Sequence, residues 1–399
     1  MNIRSVTGFL SLADPLAADS LRALGDLVRA ARADFSAAGF PVQTARMATQ
    51  PFPEIAPNNL TQFARALEAA SKAQGIDYAA LGAVRADHRL APLDVIEDIP
   101  AALRATENVF ASVQIASHES GINLGAILAT ARVIRALADT TPDGFGNFKF
   151  AALANCPPHS PFFPVAYQHG NAPAFALAVE GAPLVVDAFT RAHNLGEARA
   201  NLIGAIEHAA QALARVADDL ATRFGFHFAG IDFSTAPFPD IAQSIGTAME
   251  KLTGANFGAR GTLFAAGFIT DCINRANFPR VGFSGVMLPV LEDATLAARS
   301  ASFTLDSLLL YSTVCGTGLD TIPLPGDTTV DALSAILLDL ATLAVKLNKP
   351  LTARLIPIPG LKTGDATHFD FAYFANARIL DGGADVVKIF ETDTQVEFK

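Results

Sequence analysis

Charge is scarce in this chain of 399 residues: 17% are charged and 51% hydrophobic. That balance excludes a disordered chain and calls for a large core with elements buried on more than one face. Cysteine is scarcer still. The three present, Cys156, Cys272 and Cys315, are an odd number without a CxxC spacing, which excludes a disulfide framework and a zinc ribbon and reads as reduced thiols. Basic residues form no stripe, and a net charge of −10 repels a phosphate backbone. Nucleic acid is therefore excluded as a partner, and a small-molecule ligand is expected instead.

Long apolar runs are missing as well. The uncharged stretch 150–179 is broken by prolines, His159, Gln168, His169 and Asn171, well short of the roughly 20 apolar residues of a spanning helix, so no membrane partner is expected. The opening Met1-Asn2-Ile3-Arg4-Ser5-Val6 lacks the cationic segment and apolar core of a secretory signal, and a cytoplasmic location is expected. Motifs for bound groups are also wanting. Around His208, His227 and the scattered aspartates there is no HExxH or EF-hand spacing, Gly316-Thr317-Gly318 lacks the third glycine of a dinucleotide fingerprint, and Gly360-Leu361-Lys362-Thr363-Gly364 is no P-loop. Metal and cofactor stay unknown, and a homo-oligomer stays open.

What the chain does contain is a phrase used twice. Ala48-Thr49-Gln50-Pro51-Phe52-Pro53-Glu54-Ile55-Ala56 returns as Ser234-Thr235-Ala236-Pro237-Phe238-Pro239-Asp240-Ile241-Ala242, with six identities at an offset of 186 residues. Each copy follows an apolar run and precedes a helix-like segment, which reads as a duplication with halves of roughly 1–170 and 171–399. Strand-like runs lie at 3–10, 40–48, 78–84, 109–116 and 148–155 in the first half. The second offers 174–179, 226–233, 282–288, 308–315 and 351–358. Between them, helical periodicity is clear at Leu21, Leu24, Val28, Ala31 and Phe35, and from Leu202 to Leu220. Alternating strands and amphipathic helices require a largely parallel sheet covered by helices. An eight-stranded β/α barrel shares this local pattern, but ten strands in two halves, with no flexible linker between them, favour a single α/β barrel domain of ten strands over residues 1–399.

The phrases Phe40-Pro41-Val42-Gln43-Thr44-Ala45-Arg46, Val314-Cys315-Gly316-Thr317-Gly318-Leu319-Asp320 and Pro325-Gly326-Asp327-Thr328-Thr329 resemble the family called domain of unknown function 711, over most of the chain. That family looks like the barrel of pyruvate-formate-lyase-type glycyl radical enzymes. The resemblance implies a ten-stranded β/α barrel of two parallel five-stranded halves, running antiparallel to each other and wrapped by helices. It implies no established activity. True glycyl radical enzymes carry a C-terminal Arg-Val-small-Gly-aromatic pattern, and 385–399 contains nothing similar; Arg280-Val281-Gly282-Phe283 lacks the intervening residue. Radical chemistry is not expected.

Candidate catalytic residues come from two loops. Cys315 closes the apolar run 308–314 and precedes a Gly-rich turn, at what reads as a strand's carboxyl end, with Asp320 and Asp327 following. A thiol beside carboxylates serves as nucleophile or acid/base, given a base or helix N-terminus to activate it. The alternative is an inert buried cysteine, with Thr328 and Asp331 as a capping pair. Cys156 precedes Pro157-Pro158-His159-Ser160-Pro161, and His159 is a base for either thiol if the loops meet inside the barrel; the alternative, which the sequence favours, is a rigid surface loop with a solvated histidine. Cys272 reads as helix packing. For substrate binding, Arg46 before Thr49 and Asp232 before Thr235 offer one cation and one anion to opposite ends of a small polar molecule, unless they pair with each other. His169, in a polar turn, completes the set, with a plain surface loop as the alternative that its lack of a partner favours. The expected function is an enzyme of non-radical chemistry on a small polar metabolite inside or at the mouth of the barrel, or a non-catalytic metabolite-binding or regulatory protein on the same scaffold.

Overall fold

The computed structural model describes residues 1–17, 19–383, 388–391 and 394–398; the remainder of the tail 385–399 lies outside the described residues. Twelve strands occur among them: β1 Ile3–Leu10, β2 Val42–Pro51, β3 Tyr78–Gly82, β4 Val84–Arg85, β5 Val109–Ser117, β6 Gly121–Asn123, β7 Phe150–Ala154, β8 Ala174–Val179, β9 His227–Asp232, β10 Gly318–Pro325, β11 Leu351–Ile358 and β12 Gln395–Val396.

They form one sheet whose main path is β10-β11-β7-β5-β3-β2-β1-β8-β9. The first-half strands β1, β2, β3, β5 and β7 pair in parallel, as do β8 with β9 and β10 with β11. The two sets meet antiparallel at β1/β8 and β7/β11.

Period-two burial explains why these runs are strands. In β2, Ala45 and Met47 face the large cluster under the helices, while Ala48 faces the other way; β5 divides Ala111 and Val113 from Phe110, and β8 divides Phe175 and Leu177 from Ala174 and Ala176. Both faces are buried, as a parallel sheet requires. The face away from the helices is rich in alanine, and the connection after β7 fills it with Phe163, Val165, Ala166 and Tyr167.

Two expected strands are absent. The first part of the run 308–315 lies in the helix Leu305–Ser312, which opens on a capping box between Thr304 and Ser307, and 313–315 are turn and bend. A short, mostly apolar run fits helix or strand equally, and the cap decides. The strand is β10, which begins after Cys315, so that thiol precedes a strand instead of ending one. Residues 282–288 form no strand either. A Cβ on Gly285 would meet the Gly316 Cα at 2.6 Å, so this stretch is held by close backbone approach. It touches the sheet through the bridges Ile231↔Arg280 and Pro289↔Asp320. Strand pairing is therefore interrupted between β9 and β10, and the sheet is not closed.

The repeated phrase does the same work in each half. The Thr49 hydroxyl accepts the Gly82 N–H at 2.9 Å, and the Thr235 hydroxyl accepts the Met287 N–H at 3.3 Å. Each threonine ties its own chain segment to the next one across. No helix among the described residues is long and apolar enough to cross a membrane.

Candidate functional site

Strands buried on both faces rarely carry charge, so the charges they do carry are informative. Arg4 of β1, Arg46 of β2, Asp232 of β9, Asp320 of β10, Arg354 of β11 and Glu292 from the connection before β10 all line one cavity of about 50 Å³. Its walls include the rings of Tyr78, Phe110, Phe148, Phe162 and Phe163.

Four of these charges neutralise one another. Arg354 donates from Nε to Asp320 at 2.7 Å and from Nη2 to Glu292 at 2.7 Å, and its guanidinium lies 5.0 Å from the Phe148 ring centre. Glu292 also accepts from Arg4, which in turn donates to the Pro237 carbonyl at 3.1 Å, in the second copy of the repeated phrase. Burial pushes both carboxyls up. At Glu292 the Arg354 and Arg4 guanidiniums outweigh it and hold the group below its ordinary value; at Asp320 burial prevails over Arg354 and the group sits above it.

Arg46 is left over. It is 8% exposed, and its Nε donates to the Thr44 hydroxyl at 2.9 Å. Among the described residues no carboxylate pairs with it and its two Nη groups have no protein partner. Its guanidinium lies 5.2 and 5.6 Å from the Phe163 and Tyr78 ring centres. Register places it there: β2 pairs Arg46 with Tyr78 of β3. Burial, with Arg4 adding to it, lowers the group to about 10. An arginine left without a carboxylate partner presents the donor geometry that recognises a planar anion.

Asp232 lines the same cavity but is already saturated. Its carboxylate accepts from the Ser234 N–H and hydroxyl at 3.1 and 2.5 Å and from the Phe283 and Ser284 N–H groups at 3.0 and 2.9 Å. It pins the irregular stretch after Arg280 to β9, and it does not pair with Arg46.

The other candidates stand apart from this cavity. Cys156, Cys272 and Cys315 are all buried. The Cys156 Sγ donates to the Leu351 carbonyl at 3.4 Å, and burial pushes its thiol well up; burial takes Cys272 to about 11. The Cys315 Sγ accepts the Gly318 N–H at 3.3 Å. His159 contacts neither thiol: its Nε2 meets the Gln168 Oε1 at 2.7 Å, its ring meets Phe9 edge-on, and burial lowers it. His169 and Asp327 are exposed, and Thr49 and Thr235 spend their hydroxyls on backbone. At the helix Val330–Leu347 the cap is Thr329, not Thr328. No group of three or more His, Cys, Asp or Glu residues among those described is arranged to hold a metal ion. From burial follows an expected result: all three thiols react slowly with a disulfide reagent such as DTNB at pH 7 in the native protein and rapidly in denaturant. One stoichiometric fast thiol in the native protein would overturn it.

Arg4, Glu292, Arg354 and Tyr78 escaped the sequence reading. A signal for two of them was present. Arg4 and Arg354 are lone charges in the otherwise uncharged strands Ile3–Leu10 and Leu351–Ile358, positions where a charge persists only with a partner. Glu292 carried no such mark, since its partners are 62 and 288 residues away in sequence.

Comparison with known proteins places these residues in a family. The model of the family described as Uncharacterised ACR (DUF711) matches residues 1–374. A UPF0210 protein of Pelotomaculum thermopropionicum is 32% identical, the match covering 92% of this chain and 88% of the relative. One of Clostridium botulinum is 30% identical over 99% and 92%. One of Pyrobaculum aerophilum is 36% identical over 68% of this chain, which spans 62% of that relative's length.

Proposed function

The chain belongs to the DUF711 family, and from that membership, which names no reaction, we propose that the protein binds a small monocarboxylate in the Arg46 cavity and transfers a proton to or from it at Asp320. The observation that carries this reading is the unpaired Arg46 guanidinium. Two guanidiniums meet two carboxylates in the Arg4, Glu292, Arg354 and Asp320 network and Asp232 is held by four hydrogen-bond donors, so Arg46 is the guanidinium of this lining left without a carboxylate partner. One anionic carboxylate matches it in charge and in its bidentate geometry. Size narrows the class further. A water needs about 10–15 Å³ of such space, so about 50 Å³ suits an acid of a few heavy atoms, its apolar part against the aromatic walls.

Asp320 is the proton-exchanging group in this reading because burial raises it, the direction that suits acid–base work. The thiols are assigned no step. A second reading, a non-catalytic receptor for the same acid, draws on the fact that Asp320 already accepts from Arg354. As scaffold we propose a ten-stranded barrel of the glycyl-radical-enzyme kind, residues 280–289 standing where a strand would join β9 to β10. Support comes from the two parallel sets, their antiparallel seams and the bridges at each end of that stretch.

Titration calorimetry with formate, acetate, propanoate and lactate tests the reading. At least one acid is expected to bind the wild type, and Arg46→Met is expected to weaken it at least a hundredfold, in line with about 3 kcal/mol for a charge-assisted bidentate contact. Equal affinity in the two proteins would refute the anchor. Solvent deuterium incorporation into the bound acid, lost in Asp320→Asn, separates the enzyme from the receptor.

A further inference from the structure

The Arg46 cavity shares one wall with a second, larger cavity. The outer one, of about 360 Å³, is bounded by Leu103, Asn108, Leu137, Phe145 and Phe371, and both are bounded by Tyr78, Phe110 and Phe148. The three shared rings are held very differently. Phe148 stacks on Phe145 at 5.1 Å and takes the edges of Phe371 and Phe374 at 5.4 and 5.6 Å. Phe110 is wedged among Tyr78, Phe148 and Phe163 at 5.3 to 5.8 Å. Tyr78 contacts one ring among the described residues, that of Phe110, is half-buried, and has no hydrogen-bond partner for its hydroxyl among those residues. It is the part of the wall that packing holds least.

We propose that Tyr78 sets the length of the acid the site accepts. Its ring separates the cavity that holds the carboxylate from a space seven times larger whose walls are mainly apolar. This rests on the reading of Arg46 as a carboxylate anchor. With the ring in place, chain atoms beyond the inner cavity meet the Tyr78 and Phe110 rings. With the ring removed, the same atoms enter the outer cavity, and each newly buried methylene is worth about a fourfold gain in affinity. The anchor is kept, because Arg46 holds its hydrogen bond to Thr44 without Tyr78 and loses only a cation–π contact, worth about twofold to fivefold.

The test is calorimetry with acetate, butanoate, hexanoate and octanoate on wild type, Tyr78→Ala and Tyr78→Phe, with hexanol and octanol as uncharged probes of the same lengths. Wild type is expected to favour the short acids. Tyr78→Ala should bind hexanoate at least tenfold tighter than wild type does, with acetate within about fivefold, and Tyr78→Phe should keep the wild-type order. Tyr78→Val replaces the alanine variant if the latter unfolds. A folded Tyr78→Ala protein with the wild-type length profile overturns the proposal, as does a Tyr78→Phe protein that opens equally. If octanol gains tenfold in Tyr78→Ala while no acid binds either protein, the shared wall stands and the carboxylate reading falls; if neither series binds, both fall.

Discussion

Arg354→Met is expected to cost about 3–5 kcal/mol of folding stability at pH 7, because it leaves Asp320 and Glu292 buried with too little positive charge. Both carboxylates are nearly inaccessible, and each accepts a 2.7 Å hydrogen bond from that one guanidinium. Arg4 remains beside Glu292, so Asp320 bears most of the loss. The pH dependence gives the prediction a signature. Without Arg354, Asp320 rises further above its ordinary value and Glu292 loses the larger of the charges that hold it down, so the variant gains stability by protonating Asp320, and that gain is lost as pH rises through the raised value. The deficit relative to wild type should therefore shrink between pH 7 and pH 5. Urea denaturation at the two pH values measures it; a deficit below about 1 kcal/mol at pH 7, or one that grows on acidification, would show that the network does not work this way.

Arg46→Met is expected to act in the opposite direction on stability while abolishing acid binding. Lowering an arginine from its ordinary value to about 10 corresponds to about 3 kcal/mol spent on keeping the charge in its buried site. The penalty is present at every pH below about 10, since the depressed group is charged there, and it disappears only as pH rises above that value. Methionine of similar length removes the charge and keeps much of the packing, so a gain of about 1–3 kcal/mol is expected. Wild type alone should be further stabilised by added acid, by about 2.7 kcal/mol at a hundred times the dissociation constant. Chemical denaturation with and without acid reads both effects. A variant less stable than wild type by more than 1 kcal/mol would mean that Arg46 is paired in solution.

That an arginine should be kept at such cost bears on what the chain discloses about itself. Arg46 was legible because the repeated phrase set it against Asp232, two unlike charges three residues before its two threonines. Their roles were not legible. Whether a buried charge is pinned, as Asp232 is by four donors, or free, as Arg46 is, depends on backbone N–H groups from Phe283 and Ser284 that lie about 50 residues away in sequence. The strands of the first half were readable because parallel pairing buries both faces and selects continuous apolar runs. The second half was harder for the same reason. The run 308–315 satisfied the strand pattern, but its first part became a helix on the strength of one cap, and 282–288 kept its place beside β9 without a strand's pairing. The aromatic wall was invisible, since Tyr78, Phe110 and Phe148 lie on three different elements and their meeting is a property of register.

The antiparallel seams have a consequence for synthesis. The amino-terminal set leaves the ribosome with β1 and β7 as its outer strands, and the strands that will cover them, β8 and β11, are translated later, β11 near the end of the chain. β8 follows β7 within about 20 residues and covers β1, but until β11 emerges the β7 edge stays uncovered, an arrangement prone to pairing with a neighbouring chain. Fragments ending before Leu351 are therefore expected to form inclusion bodies.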